Sequence, residues 1–457
     1  MFRTPVFLSL ALAALGGFLL SFNGCGGSGA VTPISHVVVI FQENRTPDNL
    51  FQDPVLISRG ADIASYGLNS HGQTIPLTPL SLANNYDLSH THQAFVSMYD
   101  GGKMDGADLI PFVCYSPTNC PPSNPQFAYV NPSEVQPYFS LAEQYSFADR
   151  MFQTNQGPSF PAHQFIISGT SAPTAGSNLF AAENPFEGND TGCTAPPGQT
   201  ISVVGPSGVE SAAIYPCFEH PTLNDLLDAR GMSWRYYSPG PGSIWTAPNA
   251  IKHLCQPQTQ DGKLKCTSSV WANNVVLNQT QILTDIASKN LANVSWVIPT
   301  GQASDHAGIN DGSGPSWVAQ VVNAIGNSPY WVNTAILITW DDWGGWYDHV
   351  PPPQVLVNCS QWGCGYVYGF RVPLIVVSPY AKPAYISHSQ HDFGSILKFI
   401  EETFELGSLG YADTPADNLS DCFNYDQAPI VFHTIASPLD EAHFLNDKRP
   451  PTDPDDD

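Results

Sequence analysis

Two largely apolar, β-branched runs constrain this chain more than anything else in it, because each stops abruptly at a cluster of polar residues. The first is Val37-Val38-Val39-Ile40-Phe41, which leads into Gln42-Glu43-Asn44-Arg45. The second is Thr334-Ala335-Ile336-Leu337-Ile338-Thr339-Trp340, which leads into Asp341-Asp342-Trp343-Gly344-Gly345-Trp346-Tyr347-Asp348-His349. Runs without polar alternation are strands buried on both faces, as at the centre of the mainly parallel sheet of an α/β protein. Such sheets carry their chemistry at the carboxyl ends of their strands. An acid there has an ordinary role as the cap of the next helix. Two clusters at the ends of two similar strands point instead to a joint site. Glu43, Asn44, Asp341 and Asp342 together offer oxygen ligands for a hard or borderline divalent cation of unspecified identity. Gly344-Gly345 would let the backbone turn sharply beside it.

Several ordered segments resemble the bacterial phosphoesterase family of phospholipases C and acid phosphatases, within the alkaline phosphatase-like superfamily. They are Gln42 to Asn49, similar to the family's QENRSFDHY; Gly157-Pro158-Ser159-Phe160-Pro161-Ala162-His163 with Ser168-Gly169-Thr170; Ser304-Asp305-His306; and Asp341-Asp342 through Asp348-His349-Val350-Pro351-Pro352. Arg371 to Pro379 and the stretch from Ser387 to Ser395 are similar to the family's last strand and closing helix. The resemblance spans roughly residues 34 to 406. It implies a three-layer α/β/α sandwich with a mainly parallel central sheet, a metal held by Glu43, Asn44, Asp341 and Asp342, and Ser159 as nucleophile. It also implies active-site roles for His306, His253 and His90. The chain departs from the family in Thr46-Pro47 for Ser-Phe, in Asp342 for the usual Glu, and in Phe160 and Ala162-His163 after the nucleophile.

Ser159 read alone is a turn serine in a Gly-Pro-Ser sequence ahead of a predicted strand. It has no GxSxG elbow, and a serine hydroxyl is a weak nucleophile until a base or a metal activates it. Metal activation is the better fit here. The imidazoles of His306, His253 and His90 suit hydrogen bonding to phosphoryl oxygens or protonation of the leaving alkoxide. Asp348 and His349 are expected to support the Asp341-Asp342 loop. The expected activity is two-step hydrolysis of a phosphate ester, either a small phosphomonoester or a phospholipid headgroup diester. The absence of a sizeable domain after residue 406, such as larger phospholipases of the family carry, favours the compact phosphatase-like alternative. A non-catalytic binding lipoprotein would have been expected to lose Ser159 or its acids. A sulfatase would need an arginine that Ser159-Phe160-Pro161-Ala162-His163 lacks.

Composition narrows the partners. With 16 Lys+Arg against 40 Asp+Glu, the formal net charge of −24 opposes nucleic-acid binding. The 41 prolines and 37 glycines predict long loops. Residues 1–24 read as a secretory signal, with Arg3 before the apolar stretch Val6–Phe22. Cys25 resembles a lipobox cysteine, so the chain is expected at or beyond the cell envelope, touching membrane only through a lipid anchor or a lipid substrate. Residues 25–33 read as a linker, 34–438 as the catalytic domain and 439–457 as a disordered acidic tail. Close pairs at Cys114/Cys120, Cys193/Cys217, Cys255/Cys266 and Cys359/Cys364 suggest disulfides by nearest-neighbour pairing, with Cys422 left over. Further expected elements are helices at 138–148, 223–230, 316–326 and 393–404, and strands at 163–167, 233–237 and 294–298.

Overall fold

The computed structural model describes residues 1–2, 32–116, 120–121, 123–185, 190–205, 207–354 and 367–451. The signal-like segment, Cys25, the Cys359/Cys364 pair and the last six residues lie outside them.

Residues Pro33–Asp457 form one compact unit built on an eight-stranded sheet. Its strands are β1 (His36–Gln42), β2 (Ser146–Ala148), β3 (Trp234–Tyr237), β4 (Val275–Val276), β5 (Val294–Val297), β6 (Thr334–Trp340), β7 (Leu374–Val377) and β8 (Tyr385–Ser387). They lie in the order β4-β3-β5-β1-β6-β7-β2-β8. Only β7 opposes its neighbours, and the other pairings are parallel. The apolar runs Val37–Phe41 and Thr334–Trp340 lie in the adjacent central strands β1 and β6. Every residue of β6 is buried, as a strand covered on both faces requires.

The covering helices are α1 (Pro47–Leu50), α2 (Gln136–Gln144), α3 (Ser159–Ser168), α4 (Leu223–Arg230), α5 (Gly314–Gly326), α6 (Phe393–Thr403) and α7 (Glu441–Asn446). Side chains alternate across β1 and identify the two outer layers. Phe41 meets His163 of α3 and Phe393 of α6 edge-on, while Gln42 donates to Tyr138 Oη of α2 and to Gly314 O of α5. The architecture is the expected α/β/α sandwich.

Three expectations change. Residues 163–167 are helical, part of α3. The apolar Phe165-Ile166-Ile167 reads as strand by composition, yet every residue of α3 is buried, so no polar face marks the helical period. Pro161 is tolerated because it sits in the first turn, and Gly169 ends the helix in the left-handed conformation with φ 66°. Second, the segment 138–148 divides into α2 and the strand β2. Third, the tail does not leave the body at 439. Residues 441–446 are helical, Arg449 pairs with Asp311 at 2.8 Å, and Gln302 Nε2 donates to Pro450 O at 2.7 Å. The disulfides Cys114–Cys120, Cys193–Cys217 and Cys255–Cys266 are formed, and Cys422 is free and buried.

Candidate active site

Parallel pairing in register sets Gln42 opposite Trp340, and Asp341 N–H donates to Gln42 O at 2.9 Å. The residues that follow, Glu43-Asn44 and Asp341-Asp342, therefore emerge side by side at the carboxyl edge of the sheet. Asn44 takes a left-handed conformation with φ 60°, which asparagine tolerates, and its N–H donates to Asp341 Oδ1 at 2.9 Å. Gly344 and Gly345 also have positive φ. A Cβ on Gly344 would stand 2.5 Å from Asn44 O, and one on Gly345 would stand 2.5 Å from Leu88 Cβ. The double glycine thus lets the loop after β6 press against both the end of β1 and the segment carrying His90.

Ser159 is the first residue of α3. Its hydroxyl lies 3.3 Å from Glu43 Oε2 and 3.5 Å from Asp342 Oδ2. One turn later on the same helix, His163 Nε2 lies 3.2 Å from Glu43 Oε1 and 4.0 Å from Asp341 Oδ2. The next N–H, that of Phe160, donates to Asn184 Oδ1 at 2.9 Å. This pins the Asn184 amide beside Ser159, with its Nδ2 buried and lacking a hydrogen-bond partner.

Three carboxylates, those of Glu43, Asp341 and Asp342, share this buried space, and the crowding raises the proton affinity of Glu43 and Asp342. Burial first, and then the charge of Asp341, hold Glu43 well above the usual carboxylate range. Asp342 is raised by the same two causes. Burial lowers His163 to about 4, so its imidazole is neutral near neutral pH. Among the described residues no lysine or arginine forms an ion pair with Glu43, Asp341 or Asp342. Asn44 Oδ1 and Asp341 Oδ2 are buried without hydrogen-bond partners. Buried unpaired acids and orphaned oxygens on hard-donor side chains fit a divalent cation. Glu43, His163 and Asp341 also present ligand atoms within 4.8 Å of one another.

His90 and His306 join this site. His90 Nδ1 donates to Leu88 O at 2.9 Å, since a carbonyl only accepts, and its Nε2 takes a bond from Asn44 Nδ2 at 3.0 Å. His306 Nδ1 likewise donates to Ala307 O at 2.8 Å. The two rings meet edge-on at 5.7 Å between centroids, and both imidazoles oppose the rise in the pKa of Asp342. His253 belongs to a different constellation. It is half-buried and paired with Glu219 at 2.7 Å and Asp225 at 3.1 Å. No contact joins it to Ser159 or the four oxygen-bearing residues.

The sequence reading missed His163 and Asn184. A helical reading of 159–168 would have exposed His163, because positions i and i+4 share a helix face. Asn184, distant in sequence, had no local signal. The support that Arg45 and Asp305 provide was also hidden, whereas Asp348 and His349 were expected as supports. Arg45 grips Asp305 O with Nε and Nη2, while Asp305 Oδ2 accepts from Tyr138 Oη and Trp340 Nε1, both at 2.9 Å. Asp348 is clamped by Arg371 at 2.9 Å, and His349 bridges Asp48 and Asp62.

Residues 34–407 match the Phosphoesterase family. The chain is 23% identical over 426 residues to the hemolytic phospholipase C of Pseudomonas aeruginosa, covering 82% of this chain and 53% of that one. It is 23% identical over 442 residues to phospholipase C A of Mycobacterium tuberculosis, covering 88% and 79%. The chain spans about half the length of the Pseudomonas relative. A solved alkaline phosphatase superfamily protein from Vibrio parahaemolyticus shares 10% identity at a TM-score of 0.36, covering 83% and 70% of the two chains.

Proposed function

The chain belongs to the Phosphoesterase family, and from that premise we propose that it is an exported, metal-dependent hydrolase of phosphate esters acting through a phosphoserine at Ser159. The observation that carries this reading is the Ser159 hydroxyl held 3.3 and 3.5 Å from carboxylates at the ends of β1 and β6. The substrate is a phosphomonoester or a phospholipase C-type phosphodiester. Export is inferred from the signal-like amino terminus and the disulfides.

Glu43, Asn44, Asp341 and Asp342 would hold the cation, with His163 orienting Glu43. When bound, the metal would offset the crowded carboxylates, lower the pKa of the serine hydroxyl and draw charge from the phosphoryl oxygens. Ser159 Oγ gives up its proton toward the neighbouring carboxylates and attacks phosphorus in line. The bond to the alcohol oxygen then breaks. With Nδ1 of His306 committed to a carbonyl, its second proton sits on Nε2, from which the leaving alkoxide is protonated. Neutral His306 then accepts a proton from the water that hydrolyses the phosphoserine, and Ser159 recovers its own. Asn184 Nδ2 supplies a donor to the phosphoryl oxygens, while His90, through its Nε2, orients the Asn44 amide.

Chelated protein should be inactive on p-nitrophenyl phosphate and on p-nitrophenylphosphorylcholine, and separate divalent metals should restore turnover on at least one. The substrate that responds separates monoesterase from diesterase. Full turnover by metal-free protein, or silence on both substrates with every metal, would overturn the reading.

A further inference from the structure

β8 is the edge strand of the sheet, four places from β1, and beside it lies a second group of ligand-bearing side chains. His391 Nε2 stands 3.5 Å from Asp421 Oδ1, and Cys422 Sγ stands 3.7 Å from that same oxygen. The three ligand atoms lie within 4.8 Å of one another. A tetrahedral zinc with ligands at roughly 2.0–2.3 Å sets its donor atoms about 3.3–3.8 Å apart. Ser387 Oγ, 3.1 Å from His391 Nε2 and hydrogen-bonded to Asp421, completes the group.

The surroundings orient these atoms. His391 Nδ1 donates to Asp417 Oδ1 at 2.9 Å, so Nε2, which faces Ser387 Oγ and Asp421, is the ring nitrogen that would give its electron pair to an ion. A carboxylate behind a histidine is the arrangement that fixes a zinc-ligating imidazole. His391 and Cys422 are buried, whereas the Asp421 side chain keeps 24% of its surface open, giving an ion a way in. We propose that His391, Asp421 and Cys422 form a structural site for a zinc-class divalent cation, with Ser387 or water as fourth ligand. The ion would cross-link the turn Ser420–Cys422 to His391, in the segment that follows β8. That turn is already held to β8 by the Ser387–Asp421 hydrogen bond, and to its neighbourhood by Lys382 N–H and by Ser146 Oγ of β2, which both donate to Cys422 O.

Full-length protein stripped and reloaded with cobalt tests this. A thiolate-to-cobalt charge-transfer band is expected in the wild type and in Cys25→Ser, and its loss is expected in Cys422→Ser. Zinc content should fall by about one equivalent per chain in Cys422→Ser while hydrolysis stays within about twofold, because the two sites are separate. Should Cys422→Ser fail to fold, His391→Gln and the alkylation rate of the wild-type thiol with and without zinc decide instead; zinc should protect the thiol at least tenfold. Absence of the band, with equal alkylation in both conditions, would overturn the proposal and leave His391 as a hydrogen-bond partner of Asp417 beside Asp421.

Discussion

At the scale of single residues, the separation between His306 and His253 is the sharpest outcome. Both were assigned to the site by resemblance, yet His306 packs against His90 while His253 is held by surface acids. His306→Gln is therefore expected to lower kcat by roughly 10²–10⁴-fold, the range for a lost general acid–base. His253→Gln should leave kcat within about twofold, since changes far from a site act independently. Equal losses in the two variants would return His253 to the site. Asn184 carries a second expectation. Replacing it by alanine removes the donor beside Ser159 and should cost about 10²–10³-fold in kcat, as for an oxyanion donor. It also orphans Phe160 N–H, a stability loss of about 1–3 kcal/mol. A kcat unchanged in folded Asn184→Ala would leave the amide as a helix-start support alone. Motif residues that share a local pattern were readable from the chain; His163 was hidden because the segment 163–167 reads as strand, and Asn184 because only packing between distant segments brings it to Ser159.

At the scale of elements, the strand ends were legible and the helix that begins at Ser159 was not. β1 and β6 announce themselves by unbroken apolarity, whereas α3 is buried all round and gives no amphipathic period. The loop after β6 depends on its glycines. Gly344→Ala would add a Cβ 2.5 Å from Asn44 O at φ 62°, so both stability and turnover should fall; unchanged melting and activity would contradict the close packing. The same loop is tied down by the Asp348, His349 and Arg371 network. Burial opposes a charge on His349, but its hydrogen bond to Asp48 and the charges of Asp48 and Asp348 outweigh it, so its pKa is raised to about 9. A raised folded pKa stabilises fully below the unfolded value of about 6.5 and is lost as pH climbs through about 9. The stability gap between wild type and His349→Gln should accordingly shrink across that window in denaturant titrations. A gap independent of pH would mean the imidazole is neutral.

At the scale of the whole molecule, the two buried central strands and the meeting of their ends followed from the sequence because burial on both faces is a global property written locally, while the three-layer sandwich was what the family resemblance implied. The wrapped tail was not legible: its composition reads as disorder, yet Arg449 finds Asp311 and Gln302 reaches Pro450. No helix among the described residues is long and apolar enough to cross a membrane. Attack on phosphorus by Ser159 Oγ is the central step of the proposed function, and one measurement addresses it directly. Wild-type protein turning over substrate is quenched in acid and mapped by mass spectrometry. One added phosphoryl group, or phosphocholine with the diester, is expected on the peptide holding Ser159, and Ser159→Ala should lose it together with roughly three or more orders of magnitude in turnover. An unmodified peptide, with near-normal turnover in Ser159→Ala, would show that water attacks phosphorus directly and that Ser159 only begins a helix.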